Sequence, residues 1–485
     1  MSALASALGG RLAGFGDPDT QVSGVTAASS QVRPGDLFAA VPGAHGHGVA
    51  FVSDALAAGA VAVLTDPTGA AQLDDQSPVI VVDDVRAALG PAAGLVYGSP
   101  SSRLSLIGVT GTSGKTTTTY LMRAGLQAVG VESALLGTVA TLIGDDALAT
   151  GFTTPEAPEL QALLAVVAER RLTWAVMEVS SHALAMDRVA GVDFELGAFT
   201  NLSQDHLDFH ADMEDYFEAK AKLFGPRTRR ALAVIDDDWG RRMARRVQGC
   251  VTASADGRQA TWRAVDVLAQ PDGSTSFRVL GPEVDFLSGC AIPGRYNVAN
   301  ALVAIAALAE LGIPAREAAA GIARASVPGR MQRVEGAPFL AVVDYSHKPA
   351  AVQGALAALR PLTGGRLIVV LGCGGDRDRQ KRPLMGAVAA RGADLLIVTD
   401  DNPRSEDPAA IRRAMLEGAL AEPSRGEIVE IGDRRAAIQL AVASARAGDT
   451  VLVAGKGHET GQEIGGQVLP FDDAAELTAA IAAAS

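Results

Sequence analysis

The chain has 485 residues, 48% of them hydrophobic, enough apolar matter for several buried cores, which excludes a disordered protein. Its 55 acidic residues outnumber 42 basic ones, and the resulting net charge of −13 excludes a protein that binds nucleic-acid backbones nonspecifically. Three cysteines, Cys250, Cys290 and Cys373, stand far apart without CxxC spacing, so neither a disulfide framework nor a cysteine zinc site is expected.

The first segment, MSALASALGGRLAGFG, lacks the basic region and long apolar stretch of a signal peptide. No run approaches the ~20 apolar residues of a membrane span. A soluble cytoplasmic protein without membrane insertion is therefore expected, and a monomer. Apolar bursts follow in chain order: VAVL at 61–64, LIGVT at 106–110, WAVMEV at 174–179, RLIVVLG at 366–372, DLLIVTD at 394–400 and TVLVAGKG at 450–457. Each is bounded by Gly, Asp or Asn and neighbours an Ala-rich amphipathic stretch, a pattern of parallel α/β sheets. YGSPSSR at 97–103 reads as a connector, and SVPGRMQRV at 326–334 breaks the chain after a long Ala-rich helix. Three domains are expected, over residues 1–100, 101–330 and 331–485.

The strongest local signal is LIGVTGTSGKTTTTYLMRAGL. An apolar strand runs into Gly111, Thr112, Ser113, Gly114, Lys115, Thr116 and Thr117, and then into a helix. Glycines let backbone N–H groups turn toward phosphate oxygens, the helix adds its positive N-terminal end, Lys115 brings charge to the terminal phosphates, and the Thr116 hydroxyl can ligate Mg²⁺. Val109 stands where the general P-loop pattern wants Gly, yet Gly-Lys-Thr-Thr in this context predicts ATP or GTP binding.

Further along, WAVMEV ends at Glu178, a hard oxygen ligand at the carboxyl end of a parallel strand, followed by Ser180, Ser181, His182 and Arg188. TNLSQDHLDFH gathers Asn201, Asp205, His206, Asp208 and His210 behind another strand, which favours a metal or phosphate role although no zinc spacing is met. Lys220 and Lys222 fall on a predicted helix in DYFEAKAKLF and, taken alone, read as solvated surface lysines.

In that order, TGTSGKTTT, MEVSSH, TNLSQDHLDFH and EAKAKLF resemble the central domain of the Mur ligases, which build the peptide of bacterial cell-wall precursors. The resemblance implies that Lys220 is carbamylated by CO₂, becoming N6-carboxylysine, and that Thr116, Glu178, His206 and this carbamate bind Mg²⁺. It gives catalytic roles to Lys115, His206 and Lys220, and a UDP-sugar contact to Thr153, Thr154, Ser180 and Arg188.

The likeness continues through IPGRYNVAN, GRMQRV and VVDYSHKP, which puts Asn297 at adenine, Arg330 near the ATP phosphates and Asp344 at the ribose. Ser346 and the Pro349-Ala350 ending depart from the family's usual DYAH.PD. TDDNPRSEDP at 399–408 places Asp401, Asn402 and Arg404 in a turn after a strand, where an arginine offers a planar fork for a carboxylate. DNPR resembles the signature of family members that add meso-diaminopimelate, with Arg404 clasping the carboxylate that lysine lacks and repelling lysine's amine. Arg377 of GGDRD, with Gly455 and Glu459 of GKGHE, is implied in gripping the same amino acid. Near the start, SGVTAASSQVRPGDLFAAVPGAHGHGVAF is similar to the family's uridine-binding segment. Ser29 is kept there as a uridine contact, while Ala28 and Ser30 replace the usual charged neighbours.

The resemblance implies an α/β chain of three domains: a central P-loop-type parallel sheet, an α/β UDP-binding N-terminal domain and a Rossmann-like C-terminal domain. Its substrates would be ATP, with Mg²⁺, a UDP-muramyl-dipeptide and meso-diaminopimelate, with no nucleic acid. A free carboxylate of the dipeptide's D-glutamate would take the γ-phosphoryl group, and the amine would then displace phosphate from the acyl phosphate. An L-lysine-adding ligase, a folylpolyglutamate synthetase, and a noncatalytic P-loop or UDP-sugar-binding protein are the alternatives. Arg404 speaks against the first and the uridine segment against the second. The third needs no amino-acid grip.

Overall fold

A computed structural model describes residues 1–14, 17–43, 46–74, 77–148, 153–270 and 272–484, so residues 44 and 45 of the uridine-like segment lie outside the described residues. The chain is α/β and divides into two compact units, Met1–Ser254 with Ala306–Ile313, and Ala255–Ile305 with Pro314–Ser485.

Besides the two-stranded ladder of Pro42–Gly43 with Gly46–His47, the described residues of the first unit form two main sheets. The smaller has the strand order Arg11–Ala13, Val79–Val81, Ala62–Thr65, Asp36–Ala39 and Gly24–Thr26, parallel except for the first strand. In the larger sheet, Ser133–Leu136, Trp174–Glu178, Ser105–Thr110, Phe194–Phe199, Thr228–Val234 and Val251–Ser254 run parallel in that spatial order. Ser105–Thr110 is buried at every position but its first because helices cover both faces, which is why it reads as a continuous apolar run. Leu106, Leu160, Leu164, Met177, Phe194 and Leu223 form the core on one face. The register pairs Glu178 with Val109 and Phe199 with Thr110, so Glu178, Gly111 and Thr200 reach one edge of the sheet together. That carboxyl edge is where open α/β sheets hold ligands.

In the second unit, the order Leu340–Asp344, Thr450–Ala454, Leu367–Leu371, Leu395–Val398 and Glu427–Glu430 is parallel, with Gln332–Val334 antiparallel at one border. Ile368, Val370, Val453, Ile438 and Leu477 belong to its core. Asp344 and Leu371 both pair with Ala454, and Leu371 also pairs with Val398, so the segments that follow these strands emerge side by side.

Sequence reading missed the antiparallel parts. Trp262–Ala269, Thr275–Gly281 and Val284–Cys290 form an antiparallel meander, and Thr141–Ile143 pairs with Asp146–Leu148 in a hairpin. These strands mix buried and exposed residues or are only three residues long, so they lack the continuous apolar runs by which the parallel strands were read. The Ala-rich stretch expected as one long helix is two, Arg295–Glu310 and Ala315–Ile322, parted at Gly312-Ile313-Pro314.

Candidate active site

In the first unit the phosphate loop closes on itself and on the next strand's end. Gly111 has φ +151°, and a Cβ there would stand 1.9 Å from Thr200 Oγ1, so only glycine fits. Ser113 N donates to Asn201 Oδ1 at 3.0 Å, while Thr200 Oγ1 and Asn201 Nδ2 donate to Ser113 O at 2.7 and 3.0 Å. Asn201 therefore shapes the loop. Gly114, at φ +87°, starts the helix Lys115–Ala128, whose first-turn N–H groups have no acceptor within the helix and can receive phosphate oxygens. Lys115 Nζ folds over the loop, donating to Gly111 O at 2.9 Å and Thr112 O at 3.0 Å.

Glu178 is 1% exposed, and its carboxylate accepts from the Thr116 hydroxyl (3.0 Å), Thr138 N (2.8 Å) and the Thr138 hydroxyl (3.0 Å). Among the described residues the hydrogen-bond donors to this carboxylate are neutral. A hard divalent cation suits such a place, since Mg²⁺ takes one or two carboxylates and completes its shell with water and phosphate oxygens. Among the described residues no group of three or more His, Cys, Asp or Glu forms a protein-only metal cage. Thr153 Oγ1 lies 3.0 Å from Thr138 Oγ1, Thr154 Oγ1 donates to Glu178 O (2.9 Å) and accepts from Ser180 N (3.2 Å), and Arg188 donates to Thr154 O (3.1 Å). Arg188 also pairs with Glu156 at 2.8 Å. The four residues expected at the sugar thus gather around Glu178.

The helix Met213–Ala221, capped by Asp212, carries Lys220 in its last turn. Lys220 is no surface lysine, being 1% exposed. Its Nζ donates to Gly111 O at 2.8 Å and lies 4.5 Å from the centroid of Tyr216, one turn earlier. Burial first, and then the Lys115 charge, push its pKa well below that of an ordinary lysine. Lys222 does lie at the surface, 3.7 Å from Asp187. His206 has φ +55°, and its ring meets His182 at 4.8 Å and Tyr216 at 6.1 Å, with Asp205 at 3.5 Å. His210 is structural. Its Nε2 lies 3.0 Å from Ser181 Oγ and its Nδ1 3.1 Å from Asp215 Oδ2, so both ring nitrogens are committed within the protein and the metal or phosphate role expected of the cluster does not extend to it.

Elsewhere in this unit, a cavity of about 1080 Å³ is lined by Thr26, Ala28, Ser30, Arg33, Tyr97 and Glu159 among others. Ser29, the expected uridine contact, begins the short 3₁₀ helix Ser29–Gln31 beside it, and its two neighbours form part of the wall.

In the second unit, the loops after three parallel strands interlock. Asn402 Nδ2 donates to Glu459 Oε2 at 2.7 Å, and Lys456 Nζ donates to both Asn402 Oδ1 and Glu459 Oε2 at 3.0 Å. Gln462 Nε2 donates to Asp401 O at 2.7 Å. Gly455 has φ +114°, and a Cβ there would lie 2.5 Å from Asp401 Oδ2. Arg404, at φ +55°, is clamped by a hairpin of Gly461–Ile464 and Gln467–Pro470: its N donates to Glu463 O (3.0 Å), and its O accepts from Gly465 N (2.8 Å). Its Nη1 donates to Gly375 O (2.8 Å), and its Nε meets Glu463 Oε2 at 3.1 Å. Gly374 lies between the two expected arginines, a Cβ there being 3.0 Å from Arg404 Nη1 and 3.9 Å from Arg377 Cγ.

The residues expected at the nucleoside are also in this unit. Asp344, whose pKa is raised by burial, accepts from Met331 N at 2.7 Å and from the Ser346 hydroxyl. Arg330 lies 4.5 Å over the Tyr345 ring, with a buried Nε that has no hydrogen-bond partner among the described residues. Asn297 is 1% exposed, its Nδ2 donating to Pro293 O (2.7 Å) and its Oδ1 accepting from Asn300 (2.9 Å).

Three family descriptions match in chain order: "Mur ligase family, catalytic domain" over residues 21–97, "Mur ligase middle domain" over 109–308 and "Mur ligase, glutamate ligase domain" over 329–457. The UDP-N-acetylmuramoyl-L-alanyl-D-glutamate–2,6-diaminopimelate ligase of Streptomyces avermitilis is 53% identical, over 96% of this chain and 93% of that protein. The chain belongs to the Mur ligase family. A protein of the same description from Corynebacterium glutamicum is 50% identical over 92% of this chain and 89% of its own, and a UDP-N-acetylmuramyl-tripeptide synthetase from Leifsonia xyli is 44% identical over 95% and 92%. Among solved structures, one UDP-N-acetylmuramoyl-L-alanyl-D-glutamate–2,6-diaminopimelate ligase superposes with TM-score 0.71 and 34% identity over 95% of each chain. The MurF ligase of Thermotoga maritima in complex with ADP, 18% identical with TM-score 0.59, shares the fold.

Several residues of this Mur ligase's site carried too weak a signal to be singled out from sequence. Thr138 sits in LLGTVATL, which reads as a plain turn, although it supplies two of the hydrogen bonds on Glu178. Thr200 and Tyr216 become visible only once strand register and helix phase are known. Lys456, inside GKGHE, reads from sequence as one more loop lysine, yet it is fully buried and bonded to Asn402 and Glu459. No helix among the described residues is long and apolar enough to cross a membrane.

Proposed function

We propose that this Mur ligase joins meso-2,6-diaminopimelate to UDP-N-acetylmuramoyl-L-alanyl-D-glutamate at the expense of ATP. The reading rests on the loop cluster in which Asn402 binds Glu459 while Arg404 and Arg377 flank Gly374. Two guanidinium groups and a glutamate suit an amino acid with carboxylates at both ends and ammonium groups beside them.

In this scheme the loop at 111–117 holds the ATP phosphates, Lys115 swings from the loop carbonyls to the terminal phosphates, and Asn297, Arg330 and Asp344 serve the nucleoside and phosphate end. Thr153, Thr154, Ser180 and Arg188 hold the sugar nucleotide, with Ser29 at its uridine. Thr116 and Glu178, with His206 and a carbamate on Lys220, would hold Mg²⁺, which neutralises charge on the phosphoryl group in transfer. A carboxylate oxygen of D-glutamate attacks the γ-phosphorus, the bond to ADP breaks, and an acyl phosphate forms. The diaminopimelate amine then attacks the acyl carbon, a C–N bond replaces the C–O bond, phosphate leaves and the amine gives up its proton. Exclusion of water protects the acyl phosphate between the two steps. The domains proposed for these tasks are residues 1–100, 101–330 and 331–485.

Lysine addition has one observation in its favour: Glu463 already meets Arg404, which neutralises part of the fork. Arg377 remains beside it, and its charge still disfavours a lone ammonium. Arg404→Ala separates the readings. KM for diaminopimelate should rise by about 100-fold, the loss of a bidentate charged contact, with ATP binding unchanged. An unaltered KM would overturn the assignment of these loops to the amino acid.

A further inference from the structure

Beneath these loops lies an ion pair that the scheme above does not use. Arg434 opens the helix Arg434–Ser444 and Asp473 opens the helix Asp473–Ala484. Both side chains are 0% exposed, and they meet through two 2.7 Å bonds, Nε to Oδ1 and Nη2 to Oδ2. The guanidinium has further N–H groups, and these reach main-chain carbonyls: Nη2 donates to Ala454 O at 2.9 Å and Nη1 to Asp400 O at 3.3 Å. The residue after Ala454 is Gly455, where the GKGHE loop begins. The residue after Asp400 is Asp401, the first of DNPR.

A buried ion pair pays a large desolvation cost and is weak evidence of stability by itself. This one has a geometric consequence instead. A guanidinium is a rigid plane with five donors, and here one edge is held by a carboxylate while other N–H groups fix the last carbonyl of the strand Thr450–Ala454 and a carbonyl two residues past the strand Leu395–Val398. We propose that Arg434, anchored by Asp473, is a positioning residue for the amino acid: it sets the spacing between the Asp401–Arg404 turn and the Gly455–Glu459 loop. The proposal rests on the reading that these two loops hold diaminopimelate. With the spacing fixed from below, the Asn402–Glu459 bond above can form, and the charged groups of the two loops stay in register with the substrate's.

The test uses the full-length enzyme and steady-state kinetics. Arg434→Lys keeps the charge against Asp473 but cannot span both carbonyls. The double variant Arg434→Met/Asp473→Leu replaces the pair by apolar groups of similar volume, a change that cores often accept. Either folded variant should raise KM for diaminopimelate by about tenfold or more, the effect of a sub-ångström misplacement, while KM for ATP and kcat at saturating amino acid stay within about twofold. Equal changes in all three parameters, no change in any, or failure of both variants to fold would overturn the proposal, because each marks the pair as a structural staple only. Arg404→Ala run in parallel separates the two ideas. A normal KM for diaminopimelate there rejects the loop assignment itself, whereas a raised KM there with unchanged Arg434 variants rejects only the positioning role.

Discussion

Held by one carbonyl, that of Gly111, and by the face of Tyr216, Lys220 sits where an ammonium ion is poorly solvated. Desolvation and the Lys115 charge favour its neutral amine, and a neutral amine is the form that can attack CO₂. Carbamylation would convert a cation that costs folding energy into an anion beside the phosphate loop. The unfolded chain keeps the lysine proton up to about pH 10.4, and the unmodified folded chain loses it earlier. The unfolded state therefore binds more protons across that interval, and stability rises with pH through it. Lys220→Met should remove this slope and fold at least as stably as the parent. It should also lower ligation by about 100-fold or more through loss of charge stabilisation. Urea titrations at several pH values and labelling with ¹³C-bicarbonate check both halves. A labelled carbamate in the Met variant, or full activity without Lys220, would contradict this account. None of this setting was legible in EAKAKLF, because burial of one lysine and exposure of the next depends on helix phase against a core that the local sequence does not display.

The strands read from continuous apolar runs appear within three residues of their expected bounds, the widest miss being TVLVAGKG, whose strand stops at Ala454, since a strand covered on both faces has little room for polar residues. The meander over 262–290 and the hairpin over 141–148 were not legible for the opposite reason, being open on one side. What no motif disclosed is how tightly the loops interlock. Gly455 faces Asp401 so closely that Gly455→Ala would drive a methyl group to 2.5 Å from a carboxylate oxygen, at a φ that L-residues rarely adopt. The expected cost is about 1–3 kcal/mol of local stability, with the Asn402–Glu459 bond disturbed. Thermal denaturation with and without diaminopimelate reads this out: the variant should lose both stability and the ligand-induced rise in Tm. A parent-like response to the ligand would show that the loop contact is not needed for binding.

Across the whole chain, the order of motifs carried the family. Each piece alone was ambiguous, and Glu178 or GKGHE in isolation would have decided nothing. In sequence, from the phosphate loop to the amino-acid loops, they left little room for another family, and relatives near 50% identity over almost the full length agree. The choice of amino acid is narrower, resting on Arg404 and its neighbours. Incubating the enzyme with ATP, Mg²⁺, UDP-N-acetylmuramoyl-L-alanyl-D-glutamate and either meso-diaminopimelate or L-lysine, while measuring phosphate release and product mass, tests it most directly. Phosphate release and a UDP-muramyl-tripeptide with diaminopimelate, and neither with lysine, is the predicted result. Tripeptide formation with lysine and none with diaminopimelate would contradict it.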